Sequence, residues 1–81
     1  MSNEKINTRT DNKDTFRWFL SQDGERVLIQ AKFANVWVPA AEVSVPEARL
    51  TMKMCCWRNS PLLFDIVEEI CMEIAVEKAA A

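Results

Sequence analysis

In Thr15-Phe-Arg-Trp-Phe-Leu-Ser-Gln-Asp-Gly-Glu-Arg-Val-Leu-Ile-Gln-Ala-Lys-Phe33, two runs of alternating residues flank Gln22-Asp23-Gly24-Glu25. Asp-Gly between such runs is a strong hairpin signal, because a tight turn needs the left-handed backbone these residues tolerate. With Asp23-Gly24 as a two-residue turn, Leu20 faces Val27, Trp18 faces Ile29 and Phe16 faces Ala31, with Phe33 extending the row. The opposite face then carries Arg17, Phe19, Ser21, Arg26, Leu28, Gln30 and Lys32. A slip of one residue would turn the apolar row to water, so the pattern specifies its own register.

Downstream, the apolar positions switch from odd to even at Val36 and Val38. A bulge or tight turn at Ala34-Asn35 produces such a switch. Pro39 offers no N–H and is expected to end the pairing, leaving a short strand at 36–38 and a connector over 40–47. Residues 49–57 read as a strand, with Leu50, Met52, Met54 and Cys56 inward and Arg49, Thr51, Lys53 and Cys55 outward. A helix is the alternative there, because Ser44-Val-Pro-Glu47 has the form of a capping box and several good helix formers follow.

The final segment predicts a helix over 61–78. Ser60 is a cap, Pro61 suits a first turn, and Leu63, Phe64, Ile66, Val67, Ile70, Cys71, Ile74 and Ala75 cover about half the circumference. That arc is wide enough to pack on a sheet and also meet a second subunit. Asp65, Glu69, Glu73 and Glu77 stand one turn apart beside Glu68, and each like-charge pair costs the helix roughly 0.2–0.5 kcal/mol. Three readings are open: a solvated face, compensation by basic residues of a neighbouring strand or subunit, or a surface presented to a basic partner. Residues 1–14 carry little apolar surface and read as a flexible, disordered arm, with 15–81 as a single domain.

The chain has 81 residues, 49% of them hydrophobic, including three Trp and four Phe. A domain this small buries only about 60% of its unfolded surface, so so much apolar content points to a homodimer. The formal net charge is −2. Residues 60–81 are acidic, whereas 16–59 are mildly basic, an asymmetry that bears on partners. No stretch is apolar enough to span a bilayer, and no secretory leader is evident. Three cysteines, two of them adjacent, suit a reducing compartment, so the cytoplasm is the expected location.

With no His or Tyr, the chain lacks the commonest general base and a common general acid. Its single glycine belongs to the turn, so there is no glycine-rich phosphate loop. Cys55-Cys56 and Cys71 lack the spacing of a zinc site, and small core or surface thiols are the plainer interpretation. No enzymatic activity, metal or cofactor is expected.

The fold class expected is α+β, an antiparallel sheet of three or four strands with a C-terminal helix packed on one face. The function expected is a non-catalytic protein-interaction module that binds, and in doing so inhibits or regulates, a larger macromolecule. Small acidic chains of this kind are associated with phages and mobile elements. Its candidate partner-binding residues are Asp65, Glu68, Glu69, Glu73, Glu77, Trp37 and Trp57, since exposed Trp is a favoured interface anchor. The alternative is a nucleic-acid-binding regulator using Arg17, Phe19, Arg26, Lys32, Arg49 and Lys53 on the second sheet face, where bases stack on aromatics and cations track phosphates.

Overall fold

The computed structural model describes residues 7–11, 14–54 and 60–80. They form β1 (Asn7–Asp11), β2 (Asp14–Leu20), β3 (Arg26–Phe33), β4 (Val36–Ser44), β5 (Arg49–Lys53) and α1 (Pro61–Ala80). The strands make one antiparallel sheet in the order β1-β2-β3-β4-β5, and α1 packs on one of its faces. The α+β class therefore holds, with five strands rather than three or four.

The central hairpin has the register its alternation dictates. Phe16 opposes Ala31, Trp18 opposes Ile29 and Leu20 opposes Val27. Its turn differs in detail: Ser21 N–H donates to Arg26 O at 2.8 Å and Gly24 N–H to Ser21 O at 3.0 Å, with Gly24 at φ +74°. The connection thus spans 22–25 rather than two residues. The Asp23 side chain decides this, because Oδ1 accepts from Ser21 Oγ at 2.5 Å and from Glu25 N–H at 2.9 Å. At the other end, Ala34 (φ 51°) and Asn35 (φ 65°) make the tight turn that switches apolar parity, and Phe33 opposes Val36.

Three expectations are corrected. Pro39 does not end β4. It opposes Gln30 beside a register shift at Ile29/Gln30 that leaves Ala40 as an extra residue, and a bulge is where an inner strand accepts proline. Ala40 O is still used, accepting from Met54 N–H at 2.9 Å, and both Ala40 and Ala41 are buried. Residues 7–11, placed in the arm, form a paired strand with Thr8 opposite Arg17 and Arg9 opposite Phe16. They have no apolar residue, so hydrophobic patterning could not mark them; Thr10 and Thr15 instead bring their hydroxyls to 3.3 Å across the pair. Finally, β5 shifts register at Glu42/Val43, leaving Thr51 unopposed, so the simple alternation proposed for 49–57 breaks at Thr51. The rest of that segment, 55–59, lies outside the described residues, as do Cys55, Cys56 and Trp57.

The helix begins as its sequence requires. Ser60 Oγ accepts from Leu63 N–H at 3.4 Å, and Pro61 occupies the first helical position, where no N–H is needed. Leu63, Ile66, Ile70 and Ile74 then fall on one face and are buried against Phe16, Trp18, Ile29, Ala41 and Val43. The start of α1 lies by β5, where Lys53 Nζ sits 3.7 Å from the Phe64 ring centroid. Its last turn lies by the β4–β5 turn, where Lys78 donates to Pro46 O. Among the described residues, no helix is long and apolar enough to cross a membrane.

Ala34 pays a left-handed penalty of about 1–2 kcal/mol that glycine avoids, against roughly 0.4–1 kcal/mol of extra unfolded-chain entropy. Ala34→Gly should therefore stabilise the protein by about 0.5–1 kcal/mol, read as a raised urea midpoint at unchanged slope. The hydrogen bond from Ser21, then that from the Glu25 backbone, hold the Asp23 carboxyl below its ordinary value, opposed by some desolvation. A depressed folded pKa means that this group's contribution to stability is complete above the unfolded pKa and is lost as pH falls through the folded one. An NMR titration should give Asp23 a midpoint below that of an unstructured aspartate, and Ser21→Ala should raise it.

Candidate functional site

The buried stripe of α1 sets its rotation, and the rotation sets where the carboxylates point. Asp65, Glu68, Glu69, Glu73 and Glu77 are all exposed, as are Phe64 (47%), Met72 (63%) and Val76 (65%). The apolar arc is thus divided: one half is core, and part of the other stands in water among the acids. Met72, of a residue type that more often fills cores, belongs to this outer surface.

The ladder is partly compensated from within. Arg9 Nη2 donates to Glu69 Oε1 at 2.6 Å, and its guanidinium carbon lies 5.9 Å from the Trp18 ring centroid. Glu69 is shared by two of the three like-charge pairs, so one arginine on the edge strand relieves both. Arg9 was not among the residues singled out by sequence. Its only signal is a base flanked by β-branched Thr8 and Thr10. Among the described residues, no cation pairs with Asp65, Glu68, Glu73 or Glu77.

Glu73 and Glu77 also border a groove of about 300 Å³ between α1 and the β2–β3 hairpin, with Trp18, Leu20, Val27, Val45, Ile70 and Ile74 in its walls. On the outer side of the same two carboxylates, Met72 and Val76 line a shallower depression with Glu69. Leu20, half exposed at the lip, was expected in the core row; it lies at the end of β2, where the hairpin opens beside the helix.

The second sheet face is not covered by any described element. Phe19 opposes Leu28 there as a cross-strand pair. Arg17 stacks on Trp37 at 4.2 Å while its Nε donates to Gln30 Oε1 at 2.7 Å, and Lys32 Nζ is 5.9 Å from the same ring centroid. Trp37 therefore stands apart from the acidic helix, among the bases. Arg26 pairs with Glu42 at 3.3 Å and Arg49 with Glu47 at 2.8 Å. Lys53 does not join this face: the Thr51 bulge turns it to the helix side, onto Phe64. The six candidate nucleic-acid residues are thus split, with two ion-paired, two engaged on Trp37, Phe19 in a cross-strand pair and Lys53 displaced.

Cys71 is half-buried, and burial pushes its thiol up, away from the reactive thiolate. Among the described residues, no cluster of three or more His, Cys, Asp or Glu is placed to hold a metal.

Arg9 and Glu69 are both well exposed, so their ion pair is worth about 0.2–1 kcal/mol. A double-mutant cycle with Arg9→Ala and Glu69→Gln should return a coupling in that range, shrinking as salt is raised. Comparison with protein-family models, curated proteins and solved structures finds no match to this chain.

Proposed function

We propose that the protein is a non-catalytic interaction module that binds a larger macromolecule through the outward face of α1, and regulates or inhibits it by occupying that surface. One observation carries this reading: four carboxylates without a cation among the described residues stand beside exposed Phe64, Met72 and Val76 on a helix otherwise anchored by its core stripe. Apolar contact supplies affinity at such a face, and charge supplies steering and partner choice. Trp37 is dropped from the binding set, because it lies on the opposite sheet face beneath Arg17.

The alternative, a nucleic-acid regulator, uses the uncovered sheet face. It is the weaker reading, because Arg17 already lies against the Trp37 ring on which a base would stack, and Arg26 and Arg49 already face carboxylates.

The test compares affinity capture from the native host by the wild-type chain and by a variant carrying Asp65→Asn, Glu68→Gln, Glu73→Gln and Glu77→Gln. Wild type should retain a specific partner, and the variant should lose it at least tenfold while melting at the same or a slightly higher temperature. Equal capture would remove the carboxylates from the interface. A salt-sensitive gel shift abolished by Arg17→Ala and Lys32→Ala would move the function to the sheet face.

A further inference from the structure

We infer that the groove between α1 and the β2–β3 hairpin, together with the depression beyond it, receives a polypeptide segment of the partner in which basic and aliphatic residues alternate. This rests on the interaction-module reading and narrows it to the C-terminal half of α1.

The geometry carries the inference. Glu73 and Glu77 border both concavities, so they form a carboxylate ridge between two apolar surfaces. On one side lie the groove walls, including buried Trp18, Val27, Ile70 and Ile74, with half-exposed Leu20 as the lip. On the other lie Met72 and Val76. A volume of about 300 Å³ is at the lower limit for small-molecule sites and suits a few side chains better than a cofactor.

Charge complementarity selects the occupant. Aliphatic side chains would fill both flanks while an ammonium or guanidinium group crossed the ridge, and the methylene stem of Lys or Arg can itself lie along an apolar wall. Among the described residues, the nearby cations do not pair with Glu73 or Glu77: Arg9 holds Glu69 in the lining of the depression, and Lys78 donates to Pro46 O. A nucleic acid would set phosphates against the ridge. A second copy docking by the same face would set Glu73 and Glu77 against themselves.

The experiment titrates isotope-labelled protein with a blocked peptide alternating leucine and lysine, followed by amide and indole NMR shifts. Oligolysine of equal charge and a leucine–glutamate peptide serve as comparisons. Saturable shifts are expected at the Trp18 indole, Ile74 and Val76. Affinity should fall at least tenfold for oligolysine, for Glu73→Gln with Glu77→Gln, and for Leu20→Ser, whose exposed position leaves the core intact. Equal binding of oligolysine would overturn the role of the apolar walls, and so would the absence of saturable shifts. Self-association in sedimentation that disappears with Leu20→Ser would make the occupant a second copy and overturn the assignment. If the peptide result fails while partner capture still depends on the four carboxylates, only the groove is lost; if capture fails as well, the underlying reading falls with it.

Discussion

The four side chains that α1 lays on the sheet, Leu63, Ile66, Ile70 and Ile74, set the terms for everything else in this structure. Burying each is worth roughly 1.5–3 kcal/mol, so the stripe far outweighs the ~1 kcal/mol of repulsion along the carboxylate row. The helix therefore takes whatever rotation buries the stripe, and the acids go where that rotation puts them. Their outward display is a consequence of the core. The residues on which selection for a partner would act are the ones the core leaves undetermined: which outer positions are acidic, and that Met72 and Val76 are apolar there at all.

The same logic orders the two faces of the sheet. The helix covers one, where Phe16, Ile29 and Val43 are fully or almost fully buried. The other is finished by local pairing: Phe19 with Leu28, Arg17 with Trp37 and Gln30, Arg26 with Glu42. A mixed basic and aromatic face looks in sequence like a platform for bases. Folded, much of its charge is answered on the sheet. On the helix side the balance is reversed, since Arg9 answers one carboxylate and the rest stand beside apolar surface.

What was legible in the sequence follows from where periodicity is strong. The hairpin register and the anchored stripe of α1 were readable because each is a sustained alternation with one buried side. The Ala34-Asn35 turn was readable because it flips parity in a single step. β1 was not, since Asn7-Thr8-Arg9-Thr10-Asp11 has no apolar residue and is held by backbone pairing, a threonine pair and one arginine reaching the helix. The bulges at Ala40 and Thr51 were missed for another reason: each resets the period within a strand, so a pattern extrapolated across it places the next side chain on the wrong face. Lys53 is the clearest case. The groove was beyond reach, because its walls come from β2, β3, the β4–β5 turn and α1, and only packing brings them together.

The unpatterned β1 and the bulged β5 are also the two edges of the sheet. An open sheet presents a row of unsatisfied backbone donors and acceptors along each outer strand, to which any extended chain can add. Here each edge strand is only five residues long. One is polar throughout; the other is kinked at Thr51 and begins and ends on a cation, Arg49 and Lys53. Short length, polarity, a bulge and terminal charge are the devices that make an edge a poor template for further strands. Those devices guard the two edges against fibrous self-addition in a chain that exposes apolar side chains both on the helix (Phe64, Met72, Val76) and on the sheet and its turn (Phe33, Val36, Met52).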